Sequence, residues 1–242
     1  MKPSDSDAGA QRFNPGYLAF HAPRYAFVAQ LVRDQARAPG IRILDVGPSP
    51  LTAMIAGQTG ASVDSLGLEP DGPSPSGRHY RFNLNDTQDR DRWRLVLGPY
   101  DIIVAAEVLE HLHTAPELVL AYLRQLLGPR GLLIVQTPNA AALWKRRMLL
   151  GGRNPYQRIR VDATDPGHFR EYTRAELGQI LKETGFAVEQ TWMKFYVDAR
   201  FERHVTGLEP PARAKGFLKN IVYRLLPGPL REGITVMARR TE

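Results

Sequence analysis

The chain has 242 residues, 43% of them hydrophobic and 24% charged, with no cysteine and a formal net charge of +7. That length suits one α/β domain with a full core and is short for two, and the missing cysteines exclude disulfides and thiolate catalysis and make a structural zinc site improbable. No run of eighteen apolar residues is long enough to span a membrane and the polar, acidic start does not read as a signal peptide, so a cytoplasmic protein is expected, with a basic surplus that suits an anionic partner as well as plain solubility.

Residues 1–16 are expected to be a flexible tail, and 17–242 a single domain. From Tyr17 to Val32 the apolar residues recur at helical spacing, and Pro39-Gly40 closes that helix. Ile41 to Val46 is a short buried strand ending at Gly47-Pro48-Ser49-Pro50, and Leu51 to Ala56 returns to helix. Val63 to Leu68 is a second strand, closed by the turn residues Glu69-Pro70-Asp71-Gly72. His79 to Leu84 reads as a third, followed by a polar helix around Asp86 to Val96. Tyr100 to Ala106 is a buried strand. Pro116 to Leu127 is a helix with Pro at its start and Gly128 beyond its end, and Leu132 to Thr137 is another buried strand. Arg174 to Thr184 reads as helix, Phe186 to Tyr196 as strand, and Ile234 to Arg239 as a last short strand. Such alternation predicts an α/β fold, a mostly parallel sheet covered by helices on both faces. Two long stretches, at about 138–172 and 198–232, interrupt the rhythm and are expected to frame a substrate.

The turn after the first strand brings backbone N–H groups to the carboxyl edge of the sheet, where open α/β sheets bind ligands, and Gly47 leaves room for close approach. Glu69 ends the second strand, where nucleotide-binding sheets place a carboxylate on ribose hydroxyls. A dinucleotide fits poorly: G-x-G-x-x-G is absent, and Pro48 and Pro50 remove two donors that a pyrophosphate needs. A nicotinamide reductase is disfavoured on that ground.

Ile43-Leu44-Asp45-Val46-Gly47-Pro48-Ser49-Pro50, Tyr100 to Ala106 with Glu107-Val108-Leu109-Glu110-His111-Leu112, and Gly128-Pro129-Arg130-Gly131-Leu132 with Thr137-Pro138-Asn139 resemble the class I S-adenosylmethionine (SAM)-dependent methyltransferases. The nearest likeness is the small-molecule and lipid group that includes ubiquinone-biosynthesis O-methyltransferases and polysaccharide-cluster methyltransferases. His21-Ala22-Pro23-Arg24-Tyr25 and His168-Phe169-Arg170-Glu171-Tyr172-Thr173 are similar to that group too. The resemblance implies a Rossmann-like sheet of seven strands in the order 3-2-1-4-5-7-6, and SAM as cofactor with S-adenosylhomocysteine as product. It implies that Asp45 and Gly47, with Pro48, lie beside the methionine part. Glu69 would hold the ribose hydroxyls, Asn83 and Leu84 would stand near the adenine, Glu107 near the methyl, and Arg24 and Tyr25 would close over the cofactor. The family's usual G-x-G-x-G is reduced here to Gly47 followed by Pro-Ser-Pro.

Methyl transfer to a hydroxyl needs alignment and removal of a proton, and His111 and His168 are the candidate bases because an imidazole titrates near working pH. Each has an equally ordinary structural use, packing after the fourth strand or bracing a loop. Glu107, Glu110 and His111 give no convincing metal spacing, so no metal is expected. The first insertion carries Lys145, Arg146, Arg147, Arg153, Arg158, Arg160 and Arg170. The second places Phe217, Leu218, Ile221, Val222, Leu225 and Leu226 at helical spacing among Lys215, Lys219 and Arg224. A basic amphipathic helix of this kind lies on an anionic membrane face or packs on the domain with its charges in water. The expected acceptor is a small or lipid- or saccharide-linked molecule, methylated at oxygen. An RNA-directed methyltransferase and a non-catalytic SAM-binding protein are the alternatives. Nucleic acid is disfavoured because aromatics do not interleave with the basic runs, and Ala105-Ala106-Glu107-Val108 stands where enzymes methylating base amino groups carry an Asn/Asp-Pro-Pro-Tyr turn.

Overall fold

The computed structural model describes residues 15–162, 166–201 and 213–242. The expected tail lies outside them except for its last two residues, which begin the first helix, and so do 163–165 and 202–212 of the two insertions. Among the described residues the α-helices and strands follow in chain order: α1 (Pro15–Gln35), β1 (Ile43–Val46), α2 (Pro50–Thr59), β2 (Val63–Gly67), β3 (Gly72–Ser74), β4 (Gly77–Arg81), β5 (Tyr100–Ala106), α3 (Pro116–Leu126), β6 (Leu127–Pro138), α4 (Leu143–Leu150), α5 (Arg174–Glu183), β7 (Phe186–Lys194), α6 (Arg213–Leu225) and β8 (Gly233–Arg240). No helix of the described residues is long and apolar enough to cross a membrane.

The strands form one sheet in the order β3-β4-β2-β1-β5-β6-β8-β7. β1 lies in the middle, parallel to β2 and β5, and all four of its residues are buried, as a strand covered on both faces requires. Alternate side chains serve two cores. Leu44, Val46, Ile103 and Val135 pack with Leu120 and Leu123 of α3 and Leu177 of α5. Ile43, Val63, Ile102 and Ile134 pack on the opposite face with Val28 and Val32 of α1 and Leu51 and Ile55 of α2. β8 runs antiparallel between β6 and β7.

Seven strands follow the expected order. The eighth is new: β3 pairs antiparallel with β4 at the sheet edge, starting at the last residue of the turn expected over Glu69-Pro70-Asp71-Gly72. An edge tolerates Pro73, whose missing donor faces no partner strand. The polar helix expected around 86–96 is instead three short 3-10 turns. Asn83 and Asp89 explain the difference, because their side chains accept from the N–H groups of Asn85 and Asp91 two residues on. Such local bonds compete with the α-helical ladder. The first insertion is not all loop either, since it holds α4.

Candidate functional site

At the carboxyl end of β1 the chain turns through Gly47 at φ +75, and the Gly47 N–H donates to the Leu66 carbonyl at 2.9 Å. A Cβ there would meet Val108 Cγ2 at 3.0 Å. Positive φ and the close approach together demand glycine. α2 starts at once, with Ser49 as N-cap, a Ser49–Thr52 capping box and Pro50 in the first turn, which aims the helix N-terminus at this end of the sheet. Asp45 lies beneath the turn, 1% exposed, and accepts a 2.6 Å hydrogen bond from Thr52 Oγ1. Burial pushes its carboxyl up to about 7, with the Thr52 bond pulling the other way.

β2 ends beside it. A Cβ on Gly67 would meet Pro48 Cδ at 3.0 Å and Glu69 Oε2 at 3.1 Å, so the structure brings Pro48 and Glu69 together. The Glu69 carboxylate stands 64% exposed, 3.8 Å from His79 Nε2. Asn83 is exposed, with its Oδ1 used in capping Asn85, while Leu84 is buried in the core. The Asn85 side chain, which the sequence did not single out, accepts from the N–H groups of His113 and Thr114 and so ties this rim to the loop after β5.

Glu107 follows β5 at φ +58, an uncommon backbone for a non-glycine residue. Its carboxylate pairs with Arg24 Nη1 at 3.2 Å. Burial works against the Arg24 charge, and Glu107 with Tyr25 outweighs it, so the guanidinium is held above its usual range. Tyr25 lies within the core and accepts from Arg24 Nη2 at 3.5 Å. Arg24 thus reaches the site edge while Tyr25 braces it from behind.

One turn further on, Glu110 is fully buried. Its Oε2 accepts from Thr137 Oγ1 at 3.1 Å, and among the described residues its Oε1 has no hydrogen-bond partner. Burial first, and the Glu107 charge second, hold it well above the ordinary carboxylate range. The Glu110 carbonyl accepts from the Phe169 N–H at 2.7 Å, and His111 Nδ1 donates to the Gly167 carbonyl at 3.0 Å. These bonds bring His168 against His111, ring centroids 4.7 Å apart and edge to face. His168 Nδ1 donates to Glu171 Oε1 at 3.1 Å, and Glu171 is paired with the buried Lys145. Lys145 was grouped with the surface charges by its neighbours in sequence, and nothing local marks it as the anchor of Glu171. Glu110, His111 and His168 each offer a ligand atom within 4.8 Å of the others, so these three could hold a divalent cation. Fifty-six residues separate His111 from Gly167, which is why sequence spacing did not reveal the group.

The two candidate bases therefore share one place at the end of β5, and Asp45, Gly47, Pro48 and Glu69 share the ends of β1 and β2. A separate cleft of about 920 Å³, lined by Arg146, Arg174, Lys182, Val188 and Met193 among others, lies at the β7 edge of the sheet instead.

A family model described as a methyltransferase domain matches residues 19–191. No curated protein matches the sequence. Among solved structures, a SAM-dependent methyltransferase from Archaeoglobus fulgidus is similar at 14% identity and TM-score 0.53, over 89% of this chain and 94% of that one. A SAM-dependent methyltransferase from Mesorhizobium loti is similar at 16% identity and TM-score 0.53, over 89% and 100%. The 1,6-didemethyltoxoflavin-N1-methyltransferase of Burkholderia thailandensis, solved with bound 1,6-didemethyltoxoflavin and S-adenosylhomocysteine, is similar at 15% identity and TM-score 0.51, over 100% and 92%.

Proposed function

The chain belongs to the methyltransferase-domain family, a class I SAM-dependent methyltransferase, and from that premise we propose that it methylates a hydroxyl oxygen of a small or lipid- or saccharide-linked acceptor. SAM supplies an activated methyl group for in-line displacement. The residues at hand fit such a cofactor, because the side-chain-free backbone at Gly47 leaves a cradle that a Cβ would fill against Val108. Gly47 and Pro48 would flank the methionine part, with Asp45 setting the charge beneath it through Thr52. Glu69, exposed at the end of β2, would accept from the ribose hydroxyls. The adenine would meet the rim at Asn83 and Leu84, the first through its backbone because its side chain is engaged. Glu107 would be held by Arg24 near the reacting carbon, with Tyr25 behind it.

The observation that carries the oxygen assignment is the chain Lys145–Glu171–His168 beside His111. Its Nδ1 bond to Glu171 orients the His168 ring and favours the imidazolium that forms on proton uptake, the arrangement a general base needs. The Lys145 ion pair sets a basic group against Glu171 in a buried setting. His111, steadied by Gly167, shapes the same surface. The Glu110–His111–His168 group favours a second reading, in which a bound divalent cation lowers the acidity barrier of the acceptor hydroxyl.

The test is methyl transfer from labelled SAM to a panel of hydroxyl-bearing small, lipid-linked and saccharide-linked acceptors, with the new bond located in the product. His168→Ala should lower kcat by about 10²- to 10⁴-fold and leave S-adenosylhomocysteine affinity within about twofold. Equal loss on chelation, restored by a divalent cation, selects the second reading. Methyl found on nitrogen or carbon ends the oxygen assignment, and cofactor binding without transfer to any acceptor leaves a binding protein.

A further inference from the structure

The exposed apolar side chains of this protein are not scattered. Among the described residues thirteen large ones stand exposed, and ten of them fall in two segments, 143–161 and 213–231. Leu149, Leu150, Tyr156, Ile159 and Val161 belong to the first; Phe217, Leu218, Ile221, Val222 and Leu225 belong to the second. The same two segments, 38 residues together, hold eleven of the 32 Lys and Arg and none of the 25 Asp and Glu. The rest of the chain, with 21 basic and 25 acidic residues, is net negative. The positive charge of the molecule is therefore concentrated where its apolar surface is.

α6 shows the arrangement most clearly. Its apolar residues recur at the spacing of one helical face, and that face points outward. Gly216, Lys219, Asn220 and Tyr223 face the body instead. Asn220 donates to Asp198 Oδ1 at 2.8 Å and accepts from the Ala199 N–H at 2.9 Å, and Tyr223 stacks on Phe195 at 4.8 Å. A helix stabilised only by the domain would turn the other way. The two segments meet at Asn139, at the carboxyl end of β6. Its side chain donates to the carbonyls of Pro229 and Arg231, and its carbonyl accepts from Lys145 at the start of α4.

We propose that these two segments form one docking surface for an anionic phospholipid bilayer, which receives the outward face of α6 and the 149–161 stretch, from the end of α4 onward, while the basic side chains meet the headgroups. The chemistry of both parts is needed. Apolar side chains of this size are stable against acyl chains and not against water, and each basic residue near an anionic leaflet adds to the attraction. Lys145 is not one of them, being buried in its ion pair, whereas Arg146, Arg147, Arg153, Arg158 and Arg160 are exposed. A second copy of the chain is a poor occupant, since like charges would face each other across the contact. A nucleic acid would satisfy the charge and leave the apolar stripe in water. Docking there would bring the end of the sheet that bears His168 toward the lipid, whatever the acceptor is.

The test is flotation of the full chain with phosphatidylcholine vesicles, with and without phosphatidylglycerol, at low and raised salt. Binding should require the anionic lipid and weaken in salt. It should fall more than about tenfold both in Phe217→Ser/Leu218→Ser/Val222→Ser and in Arg147→Glu/Arg153→Glu/Arg158→Glu. Circular dichroism and S-adenosylhomocysteine titration of each variant should match the parent, which separates this result from failure of the cofactor site. No binding of the folded parent chain to anionic vesicles overturns the proposal. So does stripe-dependent dimerisation, or tight RNA binding that the serine variants leave unchanged, if either occurs without vesicle binding.

Discussion

The β1–β2 end of the sheet and the two segments that join at Asn139 solve opposite problems. At the first, a carboxylate is inside and the backbone is outside: Asp45 is buried under the turn while Gly47 presents bare peptide at the surface. At the second, the usual order is reversed, with a lysine inside at Lys145 and leucine outside at Leu150. The difference teaches that burial follows the partner each surface expects. On the proposed cofactor site, the turn keeps a concealed carboxyl and a bare backbone position. On the proposed docking surface, the hydrophobic groups stay free of the domain's own core.

The largest effect that would break this contrast is Gly47→Val. The substitution puts a β-branched residue at φ +75 and a Cβ at 3.0 Å from Val108. The strained backbone alone costs about 1 to 3 kcal/mol, and relief by moving the turn would close the cradle. S-adenosylhomocysteine affinity measured by calorimetric titration should fall at least about 100-fold. An unchanged affinity would show that the cofactor does not lie against this turn, and the contrast between the two surfaces would have to be redrawn.

Much of the first region was legible from residues alone. Asp45, Gly47 and Glu69 stand out because strand ends and turns announce themselves locally, through a run of apolar residues stopped by Gly and Pro. Seven strands were legible for the same reason, whereas their order came only with the resemblance to class I methyltransferases. The second region was legible only in part. The spacing in α6 was visible, but the direction its apolar face points depends on Asn220 meeting Asp198 and Tyr223 meeting Phe195, contacts over 22 and 28 residues that no periodicity contains. Lys145 was misplaced likewise, because its Glu171 partner is 26 residues away. The 3-10 turns at 84–97 show a third case, in which composition suggested a helix and side-chain bonds from Asn83 and Asp89 prevented it.

A smaller effect separates a concealed charge from a merely buried polar group. Burial raises the Asp45 carboxyl to about 7, so the folded unliganded protein holds that proton more tightly than the unfolded chain does. Stability from this group is therefore greatest below about pH 4 and declines as pH rises toward 7, by at most about 4 kcal/mol. A cation bound above it favours the ionised form and reverses the trend for affinity. SAM binding should tighten by up to about tenfold per pH unit between pH 5 and 7 and then level off. Asp45→Asn keeps an acceptor for Thr52 and should flatten both profiles, read by thermal unfolding and by titration with SAM. A pH-dependent affinity that persists in Asp45→Asn would assign the titration to another group.

The smallest expected effect is the most direct probe of the second region. Leu150 is 89% exposed, so its side chain gains almost nothing from the folded core, and hydrophobic stabilisation scales with the area removed from water. Leu150→Ser should change unfolding stability by no more than about 0.5 kcal/mol, a shift in Tm of a few degrees at most. The same replacement at Ile134, buried between β5 and β8, would leave a cavity and an unpaired hydroxyl and cost several kcal/mol. A loss at Leu150 approaching that at Ile134 would mean the leucine is covered in solution by protein. The apolar face would then belong to an assembly of this chain rather than to a lipid surface. A negligible loss keeps the outward leucine unexplained by folding, and so reserves it for a partner that meets it after the domain has formed.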